Sequence, residues 1–181
     1  IYASHLRGYS DTFIESIREA IKIGKETGIT VQCSHLGPFG VKFGPKIDEA
    51  INLLEKANKS GINISYDSLA YCGGSTTIMA IIPPWAYAHG LEKFLTDINN
   101  NEFYEKMISY MENYIPVWPS WEGTGWTDNF VRSLGWENLY VLGAQNKEFV
   151  GKNFIQIGKD RKIDKYEALR QVLFEESASA I

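Results

Sequence analysis

Three short apolar runs recur along the first seventy residues at intervals of about thirty: IYASHL at 1–6, ITVQCSHL at 29–36 and INISYDSL at 62–69. Between the first two lies SDTFIESIREAIKIGKETG, with Phe13, Ile14, Ile17 and Ile21 at helical spacing and Gly28 as a stop signal. Between the second and third, a Gly/Pro-rich loop, GPFGVKFGPK, leads into another amphipathic stretch. There Ile47, Ala50, Ile51 and Leu54 lie on one side, Asp48, Glu49, Glu55 and Lys56 on the other, and Gly61 sits near its end. Strand, helix, strand, helix, strand at this spacing predicts βαβ units and a parallel sheet, an α/β fold.

The tripeptide SHL closes the first run and recurs in the second, which places His5 and His35 thirty residues apart. Both fall at the C-terminal ends of neighbouring strands, where α/β folds carry their chemistry. Side-chain alternation predicts that Ala3 and His5 share one face, and that Cys33 and His35 share the corresponding face of the next strand. Adjacent strands lie ~4.8 Å apart. Two imidazoles at that separation can bind one metal ion, or one on each of two adjacent ions. The plainer alternative is a pair of hydrogen-bonded strand-end histidines. Two nitrogens do not complete a site, because catalytic zinc takes three protein ligands and an open position. Asp67, near the end of the third run, is either a third ligand or a carboxylate that caps the following loop.

The alternation stops near residue 83. LEKFLTDINNNEFYEKMISYMENYIP predicts two amphipathic helices separated at 97–101, with Phe103, Met107, Tyr110, Met111 and Tyr114 as a packing stripe. The Trp-rich stretch at 117–130 is either a lid or a loop packed on those helices. His89 reads as a helix-flanking residue without a metal role. Residues 139–150 predict two short strands around a turn, and 164–177 a helix with Tyr166, Leu169, Val172 and Leu173 inward.

Charge bears on partners. A formal net charge of −4, scattered without a basic block, argues against nucleic acid or an anionic membrane surface and for a small molecule or another chain as partner. The longest apolar run, at 78–88, is too short to span a bilayer and is cut by two prolines. Two cysteines without CxxC spacing fit a reducing, cytoplasmic compartment. The chain opens on Ile1 inside an apparent strand, so the expectation is a piece of a longer polypeptide.

YASHLRG, VQCSHLG, SYDSLAYCGGST and IIPPWA, in that order, closely resemble the central portion of the D-aminoacylase and N-acyl-D-amino-acid deacylase family of the amidohydrolase superfamily. Members read as Y-x-T/S-H-x-R, then I-S-H-x-K thirty residues later, then D-x-Y-P-Y-x-x-G-S-T and L-P-P-W. GWENLYVLG, VGKNFIQIGKDRKID and YEALRQVLFEES resemble that family's segment after the lid, so the resemblance runs to the end of the chain.

The resemblance implies a metal-dependent (β/α)8 TIM-type barrel, here a partial one: about three parallel βα units over 1–82, a helical lid-type insertion over 83–138, and short strands plus a helix over 139–181. It reads as one structural domain truncated at both ends. It implies that His5 and His35 ligate Zn2+, one or two ions in the complete protein, and that Arg7, Tyr71 and Ser75 bind the substrate, an N-acyl-D-amino acid. Relatives carry Lys where this chain has Gly37, and Tyr where it has Leu69. Those positions are associated with the substrate carboxylate, for which the Arg7 guanidinium is an alternative partner. Arg7 can equally serve as a salt bridge holding a loop, and Ser75 and Thr76 as turn residues after Gly73-Gly74. The family's H-x-H pair does not occur in the sequence, and neither Cys33 nor Cys72 matches the bridging cysteine. The general-base aspartate is expected beyond Ile181. The isolated chain is therefore expected to be inactive, to bind zinc weakly and to self-associate through unpaired strand edges. The competing readings are a non-catalytic binding module on a degenerate barrel and a superfamily member acting on cyclic amides.

Overall fold

A computed structural model describes residues 1–119 and 125–181. The chain forms two compact units: Ile1–Gly74 with 116–119, and Ser75–Ile115 with the chain from Gly125 onward.

The first unit is the predicted strand and helix alternation. Strands β1 (Tyr2–His5), β2 (Val31–Ser34) and β3 (Ile64–Tyr66) form a parallel sheet in the order β1-β2-β3. Helices α1 (Phe13–Thr27) and α2 (Lys46–Lys59) make the two crossovers. Gly28 ends α1 in a left-handed conformation, its N–H donating to the Gly24 carbonyl at 2.9 Å. Gly24 is there for a different reason: a Cβ would stand 3.0 Å from the Ile62 side chain and 3.1 Å from that of Val31, so a larger residue would have to push these side chains aside where α1 meets the sheet. The core between helices and sheet holds Phe13, Ile17, Val31, Cys33, Ala50, Leu54 and Ile64, with Tyr9 fully buried among them. Three parallel strands with their crossover helices are compatible with a segment of a (β/α)8 barrel.

The second unit is mainly helical. It contains α3 (Leu91–Asp97), α4 (Asn101–Asn113), α5 (Phe130–Leu134), α6 (Phe154–Arg161) and α7 (Lys165–Glu175). The break expected at 97–101 is present, and the Asn100 side chain accepts from Phe103 N as the cap of α4. Met107 and Met111 are fully buried in a core with Phe94, Phe149, Leu169, Val172 and Leu173, so the stripe packs. Trp126 is buried too, its ring nearly parallel to Tyr110 and Tyr114 at 5.9 and 6.0 Å. Trp121 of the same stretch lies outside the described residues.

The strand pair near 139–150 is displaced from its expected place. Strand β4 (Tyr140–Val141) pairs antiparallel with β5 (Lys152–Asn153), and Phe149 between them turns inward and is fully buried. Asn153 then opens α6 through a capping box with Gln156, which makes 154–161 a helix that the apolar pattern alone does not show. His89 is exposed in the loop before α3. Among the described residues, no helix is long and apolar enough to cross a membrane.

Candidate metal and substrate site

The register of the sheet decides which side chains can meet. His5 pairs with Ser34, and Ser4 pairs with Cys33, so the two SHL tripeptides are offset by one residue. On one face Val31, Cys33 and Ile64 point into the core. On the other, Ala3 and His5 stand beside Gln32 and Ser34, with Ser65 on β3 and Asp67 one step past its end. The alternation argument therefore fails for the second tripeptide: Cys33 does not share a face with His5.

His35 escapes the same fate because it is not part of the strand. It follows Ser34 with φ +57, a left-handed conformation that few non-glycine residues adopt. The turn carries its ring to 5.9 Å from the ring of His5, centroid to centroid, at an interplanar angle of 76°. The two imidazoles meet, but by a local reversal of the chain and not by strand register.

Each ring has its Nδ1 near an oxygen, hydrogen-bonded for His5 and at a longer distance for His35. His5 Nδ1 lies 2.9 Å from the Leu6 carbonyl, an acceptor, so Nδ1 carries the proton and Nε2 of the neutral ring carries the lone pair. His35 Nδ1 lies 3.5 Å from Asp67 Oδ1, which favours the same tautomer. Asp67 uses both carboxylate oxygens within the sheet end. Its Oδ1 accepts from His35 N at 2.8 Å and its Oδ2 from Gln32 Nε2 at 2.9 Å. The His35 N–H first, and then the Gln32 amide, hold the Asp67 carboxyl below the usual carboxylate range. Among the described residues, no three His, Cys, Asp or Glu side chains come together in a group that could hold a metal ion.

Tyr9 is the support that sequence reasoning missed. Its buried hydroxyl accepts from Leu6 N at 2.9 Å and donates to the Ser34 carbonyl at 2.7 Å, tying the end of β1 to the end of β2. Its ring meets the edge of His5 at 4.8 Å. No periodicity marks such a residue, since it belongs to a loop and acts through its hydroxyl.

The substrate-binding candidates differ in their local settings. Arg7 donates from Nε to Glu19 on α1 at 3.1 Å and lines, with His5, Ser4 and Tyr2, a cavity of about 200 Å3 beside β1. Tyr71 is 82% exposed in the irregular segment after β3, so no packing fixes it. Ser75 is exposed and opens the second unit. The structure thus brings together His5 and His35, with Arg7 lining a cavity beside His5.

Burial, reinforced by the Asp67 charge, pushes the Cys33 thiol up to about 11, so it stays protonated and inert near neutrality. Cys72 is exposed. Alkylation of the folded protein at pH 8 is therefore expected to label Cys72 and spare Cys33, with both labelled after denaturation. Rapid labelling of Cys33 in the native state, read by peptide mass spectrometry, would contradict this burial.

No protein-family model matches the sequence, and no curated protein matches it. Solved structures do match in fold. One is N-acyl-D-glutamate deacylase from Bordetella bronchiseptica complexed with zinc and a phosphonate inhibitor, at 16% identity and a TM-score of 0.61, over 99% of this chain and 27% of that one. A second is a D-aminoacylase studied for its binuclear metal centre, at 16% identity and a TM-score of 0.57, over 99% of this chain and 26% of that one. A third is a D-aminoacylase variant in complex with CuCl2, at 17% identity and a TM-score of 0.56, with 99% and 26% covered. The chain spans about a quarter of the length of these proteins. At such identity the likeness establishes a shared fold.

Proposed function

We propose that this chain is part of a metal-dependent amidohydrolase of the D-aminoacylase type, which hydrolyses the amide bond of N-acyl-D-amino acids, and that His5 and His35 supply two of its zinc ligands. The observation that carries the reading is the imidazole pair: rings 5.9 Å apart at the ends of adjacent parallel strands, on a chain that matches D-aminoacylases in fold over 99% of its length. The donor set fits zinc as far as it goes. Both rings direct Nδ1 to an oxygen, which leaves Nε2 as the lone-pair nitrogen a metal requires. Two nitrogens are half of a site, and the remaining ligands belong to other parts of the complete protein.

A zinc ion held there would polarise the scissile carbonyl and lower the pKa of a bound water. The chain's own residues do the positioning. The Leu6 carbonyl fixes the His5 tautomer, Asp67 orients His35, and the buried Tyr9 hydroxyl holds the two strand ends together. Arg7, kept beside His5 by Glu19, recognises the substrate carboxylate, with Tyr71 and Ser75 contributing from more exposed segments. By the same reading residues 83–138 are a lid-type insertion. The general base is not among these residues, so the isolated chain is inactive and binds zinc weakly. Among the described residues β1 and β3 are the outer strands of the sheet, and the chain self-associates through them.

The test is zinc content by elemental analysis on the full-length protein and on the 181-residue chain, each assayed on a panel of N-acetyl-D-amino acids. Near-stoichiometric zinc and hydrolysis by the full-length protein, with neither in the short chain, is the expected result. Absence of both from the full-length protein would sink the reading and favour a non-catalytic barrel homologue.

A further inference from the structure

The pairing of His5 with His35 runs against the register of the sheet, so something must impose it. Ser34 is the residue of β2 that stands beside His5. A strand continued through His35 would send its side chain to the Cys33 face, which is the buried one. The left-handed turn prevents this, in a conformation that is strained for a residue with a Cβ. Such a conformation persists when its surroundings over-determine it.

The bonds around His35 supply that determination. Asp67 N donates to the Cys33 carbonyl at 3.1 Å, and Leu36 N donates to the Asp67 carbonyl at 2.7 Å. These two main-chain bonds bracket His35 and skip its N–H. Asp67 Oδ1 accepts the skipped donor at 2.8 Å. The other carboxylate oxygen takes Gln32 Nε2 at 2.9 Å, and the Ser65 hydroxyl in turn donates to Gln32 Oε1. The carboxylate orientation is thus set from two strands of the sheet. The oxygen that holds the His35 backbone is also the one that faces its Nδ1, 3.5 Å away.

We infer that Asp67, anchored by Gln32, is a positioning residue that holds His35 in a left-handed turn and so delivers its imidazole, in a fixed tautomer, to the face occupied by His5. The inference rests on the proposed metal role of the two histidines for its consequence, though not for its geometry. Asparagine at position 67 keeps one acceptor for the His35 N–H but turns an NH2 toward the Gln32 amide, so it replaces the carboxylate in part.

The experiment uses the full-length protein with Asp67→Ala, Asp67→Asn and Gln32→Ala. Two quantities are read: the imidazole nitrogen-15 shifts of His5 and His35 in the metal-free state, and zinc affinity by competition with a chromophoric chelator. Asp67→Ala is expected to bring the His35 shifts to those of a tautomer mixture and to weaken zinc about 10–100-fold. His5 should keep its tautomer, because its own acceptor is the Leu6 carbonyl. Asp67→Asn and Gln32→Ala should move both readouts less, in the same direction. The side chain of Asp67 is 51% exposed, and a cooperative thermal melt, at a somewhat lower temperature, checks that the variant is folded. A merely structural role would lower that temperature equally but leave the tautomer of the folded state alone. If the parent protein binds zinc and Asp67→Ala binds it as tightly with unaltered His35 shifts, the positioning role is overturned while the metal reading stands. If the parent binds no zinc yet Asp67→Ala changes the His35 tautomer, the positioning role stands and the metal reading falls.

Discussion

Replacing Phe13 by alanine is expected to destabilise the first unit by about 3–5 kcal/mol, the range for truncating a fully buried aromatic. Phe13 is 0% exposed at the start of α1. Its ring lies 6.3 Å from that of Tyr9, which stacks on Phe39 at 4.9 Å. The cavity would therefore open directly beneath the residue whose hydroxyl joins Leu6 N to the Ser34 carbonyl. Hydrogen exchange at the Val31 and Cys33 amides reads the stability of this unit separately from the helical one. Faster exchange there, together with weaker zinc binding by the full-length protein, is the expected pair of results. A loss below about 1 kcal/mol would mean that the core closes over the gap and that Tyr9 does not depend on Phe13.

The sequence carries the first unit's plan clearly because the plan is periodic. Ile14 and Ile17 on α1, and Ala50 and Leu54 on α2, are buried as the helical spacing requires, and Gly28 closes α1. Similarly, Asn100 reveals the break before α4 by its capping chemistry. Register is another matter. A repeated tripeptide suggests equivalent positions, but parallel pairing is set by packing of Val31, Cys33 and Ile64 against the helices, and that packing places His5 opposite Ser34. The left-handed turn at His35 could not be read from a residue type that rarely adopts it. Helix α6 did have a local signal, Asn153 followed three residues later by Gln156, but the apolar pattern around it is weak. Tyr9 and Gln32 act through single hydrogen bonds between segments distant in sequence, and no spacing rule reports those.

The strain at His35 separates a functional histidine from an inherited one. Glycine enters a left-handed conformation without the Cβ penalty, so His35→Gly is expected to be more stable than His35→Ala by about 1 kcal/mol. It is also expected to lose stoichiometric zinc and, in the full-length protein, hydrolysis of N-acyl-D-amino acids down to background. Ring contact with His5 and the Nδ1 approach to Asp67 vanish in both variants, while the backbone bond from residue 35 to the Asp67 carboxylate can remain in both. The comparison therefore isolates the backbone. Thermal melts of the metal-free variants give the stability order, and elemental analysis gives the zinc. A histidine retained at a position where glycine is better accommodated, and needed for metal, is held there by its chemistry. Should His35→Gly instead keep zinc and activity, the ring is dispensable, the ligand assignment fails, and the turn at 35 has to be explained by the fold alone.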